Sequence, residues 1–198
     1  MIAQPITDEA LAQIFTRART HSAWSSTPIP ASILKQLYDL AKLGPTSANC
    51  SPMRLAFVTT QAAKERLLPA LSKGNLKKAA SAPAIAIVAQ DRNYLDRLPE
   101  LFPVGYDARS WFNTSADAVA AHGERNTMLQ AAYLIMAARA LGLDCGPMSG
   151  FDRDAVNSAF FSEQSWDAKL LISLGHGAEP VREPRKPRLN AEEACRFL

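Results

Sequence analysis

A chain of 198 residues, 47% hydrophobic and 21% charged, reads as one soluble globular domain long enough to bury a core of its own. Its formal charge of +3 is too small to imply a nucleic-acid partner by itself. Three scattered cysteines, Cys50, Cys145 and Cys195, are odd in number and lack metal-ligand spacing, so neither a zinc site nor a disulfide framework is expected.

The first residues carry no basic flank followed by an apolar core, so no signal peptide is expected. Thr7 is placed to cap a helix whose first turn holds Asp8 and Glu9, with Leu11, Ile14, Phe15 and Ala18 on its apolar face. After Pro28 and Pro30, Ile33, Leu37, Leu40 and Ala41 mark a second amphipathic helix, stopped by Gly44-Pro45. "RLAFVTT" predicts a strand and "AAKERLLPAL" a helix. "APAIAIVAQ", residues 82–90, is an apolar run suited to a strand covered on both faces.

Residues 91–115 hold five aromatics and three arginines but no sustained period, which predicts a lid or a partner-facing flap. A long helix follows from about Ala116 to Leu143, apolar nearly all round in its middle and so expected at the centre or at a subunit interface. That stretch is interrupted by Arg139 and too short to span a bilayer, so a cytoplasmic protein without a membrane partner is expected. "GPMSGFDRD" reads as a tight backbone turn before a helix capped by Asp152, and "KLLISLGHG" as a last strand. Residues 1–198 thus form a single α+β domain ending in the basic run "VREPRKPR", residues 181–188. That run is a solvated tail, a flap over phosphate, or a contact for RNA or an acidic partner.

The usual catalytic signatures are missing: no GxGxxG after a strand, no GxxxxGK[ST], no GxSxG and no HExxH. His21, His122 and His176 are isolated and read as incidental polar residues. What remains is a set of pieces with ligand-binding chemistry. "LGPTSANCSP", residues 43–52, concentrates the side chains of Thr46, Ser47 and Asn49 in one short loop, either satisfying its own backbone or gripping a polar ligand. "RARTH" puts Arg17 and Arg19 at a helix end, and "GNLKKAASAP" sets Asn75 and Lys78 three apart on one helical face. "GPMSG" can present backbone N–H groups to a ligand.

Five segments, "GPTSANCSP", "GNLKKAASAPAIAIVA", "LFPVGYDARSWF", "ALGLDCGPMSGFD" and "RKPRLNAEEAC", taken in this order, resemble the flavin-dependent nitroreductase family over essentially the whole chain. The likeness is greatest to the malonic semialdehyde reductase branch of pyrimidine degradation. It implies a nitroreductase-like fold, a central mostly antiparallel sheet flanked by helices, in a domain-intertwined homodimer that binds FMN at its interface. On that resemblance Arg17, Arg19, Thr20 and Arg185 would hold the phosphate and ribityl chain. Asn75 and Lys78 would meet the pyrimidine end of the ring, where a fixed ammonium stabilises the reduced flavin. Pro147, Met148, Ser149 and Gly150 would lie along the ring, with an amide donating to N5. Pro45, Thr46, Ser47 and Asn49 would reach the flavin of the other subunit. The chain departs from the family where many members have an acidic residue at Ser149, Gln-Pro-Trp at Ser51-Pro52-Met53, and Arg-x-Ser-x-Arg near "RTHS".

The resemblance implies an NAD(P)H oxidoreductase in which NADH or NADPH passes hydride to flavin N5, leaves, and is followed by an electron acceptor. Malonic semialdehyde, giving 3-hydroxypropionate, is the expected acceptor, with Arg109 holding its carboxylate and Trp111 and Phe112 forming a lid. No side chain is assigned as proton donor, since water or a ribityl-held network can serve, and no metal is expected. The alternatives are a broad nitro or quinone reductase of the same fold and a non-catalytic flavin-binding protein.

Overall fold

Eight consecutive residues, Ala84–Asp91, form strand β2, and every one of them is buried, as the apolar run predicts. Burial on both faces requires a strand along each edge and a helical layer above and below. In the computed structural model, which describes residues 4–178, 181 and 184–198, β1 (Met53–Val58) pairs with one edge and β4 (Trp166–Gly175) with the other. β3 (Asp144–Met148) lies outside β4, giving the order β1-β2-β4-β3, antiparallel throughout.

The helices are α1 (Asp8–Leu11), continued by a π-helical turn through Thr16, α2 (Ala31–Ala41), α3 (Gln61–Leu67), α4 (Lys73–Ser81), α5 (Leu98–Leu101), α6 (Ala116–Ala140), α7 (Arg153–Phe160) and α8 (Ala191–Ala194). The caps are those the sequence offers: Thr7 accepts from the Ala10 N–H at 3.2 Å and Asp152 from the Ala155 N–H at 3.0 Å. On one face of the sheet α2 and α6 bury Leu34, Leu37, Leu134 and Ala138 against Val88 and Ile172. On the other, α3, α4 and α7 bury Leu67, Ala79 and Val156 against Ile85, Ile87 and Leu171. The fold is therefore α+β, with the antiparallel sheet between two helical layers.

Residues 91–115 fold back onto the domain. Short 3-10 turns and α5 fold them onto a third cluster, in which Tyr94, Leu95, Leu98 and Ala108 pack with Cys50, and Phe102 and Phe112 lie against it. The flap and the polar loop before β1 thus share one small core.

Three local expectations need correction. The opening "GPM" of "GPMSGFDRD" is not part of a turn but ends an edge strand, Asp144–Met148: Pro147 lacks an N–H, and an edge strand that pairs on one side only tolerates that. The buried stripe of α2 is Leu34, Leu37 and Ala41, while Leu40 is exposed. On α1 and its extension, Leu11 and Phe15 remain exposed, because within one chain little packs over that face. Among the described residues no helix is long and apolar enough to cross a membrane.

Candidate functional site

The β3 edge gathers segments that lie far apart in the sequence. The chain leaving the N-terminal helix runs beside the sheet, with Thr20 bridging Cys145 in parallel and Trp24 bridging Gly177 antiparallel. Trp24 is buried, and its indole N–H donates to the Lys78 carbonyl at 3.0 Å, fixing the last turn of α4 beneath β3. From α4, Asn75 and Lys78 both turn to the strand, as their spacing predicts. The Asn75 amide donates to the Gly150 carbonyl at 2.9 Å and the Lys78 ammonium to the Pro147 carbonyl at 3.4 Å.

Close approach of backbones makes this rim a cradle. A Cβ on Gly146 would sit 3.1 Å from the Trp24 ring and 3.3 Å from Lys78 Cδ; one on Gly150 would sit 2.9 Å from the Asn75 amide nitrogen. Ser149 is exposed, Pro147 is half-buried and Met148 is turned into the core. At the same end of the molecule, Arg185 donates to the carbonyls of Thr16 at 3.0 Å and Ala18 at 2.7 Å, closing the C-terminal end of the N-terminal helix. That contact sets Arg185 beside the segment carrying Arg17, Arg19 and Thr20. Arg17 is paired with Glu9, and each holds the other in its charged form, raising the arginine and lowering the carboxyl. Arg182 and Glu183 of the basic run lie outside the described residues.

Lys78 is the electrostatic centre of the rim. Burial pushes its ammonium below the ordinary lysine value, and among the described residues no carboxylate lies within ion-pair distance of it. A half-buried cation held by a neutral carbonyl favours an anionic ligand. His21, 3.4 Å from Asp144, and the Gly177 N–H, 2.8 Å from the same carboxylate, tie down the neighbouring backbone.

The remaining candidates are elsewhere. Pro45, Thr46, Ser47 and Asn49 lead into β1, on the opposite edge of the sheet, three strand spacings or about 14 Å across from β3. Their loop is strained: Ala48 (φ 47°), Asn49 (φ 52°) and Ser51 (φ 40°) are non-glycine residues in the left-handed region, at about 1–3 kcal/mol each. A dense set of hydrogen bonds holds that shape, from Ser47 N–H to Asn126 Oδ1 (2.8 Å), Asn49 Nδ2 to the Leu101 carbonyl (2.8 Å) and Ser51 N–H to Thr46 Oγ1 (3.1 Å). So the loop does satisfy its own backbone, yet Pro45, Ser47 and Asn49 still face outward. Arg109, Trp111 and Phe112 belong to this second group. Arg109 is chelated by Asp107 at 2.8 and 2.7 Å, while Trp111 is half exposed and Phe112 covers His122. Sequence reasoning missed Trp24 and Gly146, whose roles come from packing across the fold, and gave no part to His122 and Asn126, which sit one helical turn apart.

The family model "Nitroreductase family" matches residues 3–176. Among solved structures, the chain resembles a protein from Exiguobacterium sibiricum 255-15 named as a nitroreductase and crystallised in complex with FMN, at 21% identity, 100% coverage of both chains and a TM-score of 0.84. It also resembles a Staphylococcus epidermidis ATCC 12228 protein named as an NAD(P)H:FMN oxidoreductase, at 20% identity, 99% and 98% coverage and a TM-score of 0.82. CLA-ER, an enone reductase of gut-bacterial fatty acid saturation, matches at 20% identity, 98% and 100% coverage and a TM-score of 0.81. At such identities the likeness establishes the fold. The chain belongs to the nitroreductase family, and that membership supports a flavin-dependent oxidoreductase.

Proposed function

We propose that this protein is a homodimeric, FMN-dependent NAD(P)H oxidoreductase of the cytoplasm, with malonic semialdehyde as its electron acceptor. The observation that carries the flavin reading is the ammonium of Lys78 at a cradle of Gly146, Pro147 and Gly150, beside the segment that bears Thr20 and Arg19 and is closed by Arg185. These residues fit FMN: guanidinium groups suit the phosphate, an ammonium suits the pyrimidine carbonyls, and small residues let a flat ring approach backbone. The flavin supplies the hydride relay between nicotinamide and acceptor. Lys78 favours negative charge on the ring, Asn75 keeps the 147–150 backbone in place, and Arg185 fixes the segment that carries Arg17, Arg19 and Thr20.

The homodimer accounts for what one chain leaves undone. The strained 45–49 loop leads into the edge strand opposite its own cradle, Leu129 and Tyr133 of α6 are exposed, and the tail ends in the exposed Phe197 and Leu198. In an intertwined pair the loop of one copy meets the cradle of the other, bringing Arg109, Trp111 and Phe112 over the acceptor. The Arg109–Asp107 chelate favours a second reading, a broad nitro or quinone reductase, because an acidic acceptor must compete with Asp107 for the guanidinium.

The test is anaerobic absorption spectroscopy of the protein reconstituted with FMN. Bleaching by NADH or NADPH, followed by faster reoxidation with malonic semialdehyde than with a nitroaromatic, is the expected result. Faster reoxidation by the nitroaromatic selects the second reading, and failure to retain FMN removes both.

A further inference from the structure

Behind the strained loop runs a buried chain of hydrogen bonds that ends on its backbone. Tyr94, fully buried, donates its hydroxyl proton to the Val119 carbonyl at 3.1 Å, and the same oxygen lies 2.7 Å from His122 Nδ1. Across the ring, His122 Nε2 is 3.2 Å from the side-chain nitrogen of Asn126, one turn along α6. The Asn126 amide is 1% exposed; its nitrogen also donates to the His122 carbonyl at 2.9 Å, and its oxygen accepts the Ser47 N–H at 2.8 Å.

The orientation of Asn126 is dictated by the backbone. A flipped amide would set its NH2 against the Ser47 N–H and its oxygen against the His122 carbonyl, two repulsive pairs. With the amide so fixed, Nε2 faces a donor and must be the unprotonated nitrogen, so Nδ1 carries the hydrogen and donates to Tyr94. Proton accounting then closes along the whole chain: Ser47 N–H to Asn126, Asn126 to His122, His122 to Tyr94, Tyr94 to Val119. A second proton on His122 would place an N–H against the Asn126 NH2.

We propose that Asn126, oriented by neutral His122, is a positioning residue for the 45–49 loop, and that protonation of His122 and the Ser47 tether exclude one another. The role in cofactor binding rests on the reading above, in which this loop covers the flavin of a second copy. The groups facing His122 agree with a neutral ring. Tyr94, packed in turn against Cys50, comes from the 94–97 turn and Phe112 from the flap, its ring stacked on the imidazole at 4.3 Å. Burial, and after it the charge of Arg125 on α6, lowers the imidazole pKa. The thiol of Cys50 and the phenol of Tyr94 are pushed by burial up to about 11 and 12 and stay neutral.

The experiment measures two quantities from pH 5 to 8: the protection factor of the Ser47 amide by NMR hydrogen exchange, corrected for intrinsic rates, and FMN affinity by fluorescence quenching. In the wild type both should fall together by about tenfold as His122 becomes protonated, the scale of one lost buried hydrogen bond. Asn126→Leu should be weak in both at every pH. Asn126→Asp keeps an acceptor for Ser47 and welcomes an imidazolium, so it should hold protection at low pH where the wild type loses it. Should Ser47 protection be insensitive to pH in the wild type and unchanged in Asn126→Leu, or Asn126→Asp track the wild type, the proposal is overturned. A wild type that binds no FMN refutes the flavin reading, while the exchange data from the flavin-free protein still decide the relay.

Discussion

The Lys78 ammonium crosses from the last turn of α4 to the edge strand and stops 3.4 Å from the Pro147 carbonyl, its only hydrogen-bond partner among the described residues. Replacing it with methionine keeps the aliphatic stem in contact and removes the charge. Lys78→Met should weaken FMN binding about tenfold or more and lower the potential of bound flavin, because the reduced, more anionic ring loses its counter-charge. Fluorescence titration and dye-coupled potentiometry check both. Unaltered potential would detach Lys78 from the ring.

The same lysine makes a pH prediction without any ligand. Its folded pKa lies below the ordinary 10.5, so between the two values the unfolded chain binds more protons than the folded one. Stability therefore rises with pH as the solution is brought up toward 10.5, and that increment is complete above it. Urea denaturation of the flavin-free protein from pH 8 to 10.5 should show this rise, and Lys78→Met should lack it.

Gly150 and Gly74 lie close together in the fold but answer differently to alanine. A Cβ on Gly150 would displace Asn75, whose amide nitrogen lies 2.9 Å away, and break its bond to the Gly150 carbonyl. The expected loss is about 1 kcal/mol of stability, with weaker FMN binding. At Gly74, in the first turn of α4, nothing lies within 4 Å, so alanine should be neutral or stabilise by up to about 1 kcal/mol. Chemical denaturation of the two variants tests the contrast.

Asp107 competes for the guanidinium assigned to the acceptor's carboxylate. Asp107→Asn should lower KM for an acidic aldehyde several-fold and Arg109→Ala should raise it, with little change for a neutral quinone. Equal effects on both acceptors would remove Arg109 from substrate recognition. The pair is exposed, and its arginine lowers the Asp107 carboxyl.

Thiol chemistry reads the tail. Cys50 and Cys145 are buried, with pKa values pushed up to about 11 and about 12, whereas Cys195 is exposed. A monomer should show one reactive thiol per chain with a chromogenic disulfide at pH 8, and three after unfolding. Protection of Cys195 in the native protein would mean that assembly covers the tail.

Much of the fold was legible because its signals are local. Thr7 and Asp152 announce their helices, the run 82–90 announces a strand buried on both faces, and Asn75 and Lys78 share a face by spacing alone. β3 was not legible, since glycine and proline in a five-residue edge strand look like a turn. Nor was the contact of Arg185 with the carbonyls of Thr16 and Ala18, almost a whole chain length away. The apolar stripe of Leu11 and Phe15 was visible but misled, because periodicity records that a face is apolar and not what packs on it. His122 looked incidental and Asn126 drew no reading, because proton direction along a relay is a property of three dimensions.

The separation of the strained loop from the cradle across the sheet has a genetic consequence. If each site joins the loop of one copy to the Lys78 rim of another, lesions in the two places are complementary. A chain crippled at Ser47 and a chain crippled at Lys78, inactive alone, would form mixed pairs in which one of the two sites is built wholly from sound parts. Co-expression of two dead alleles would restore activity.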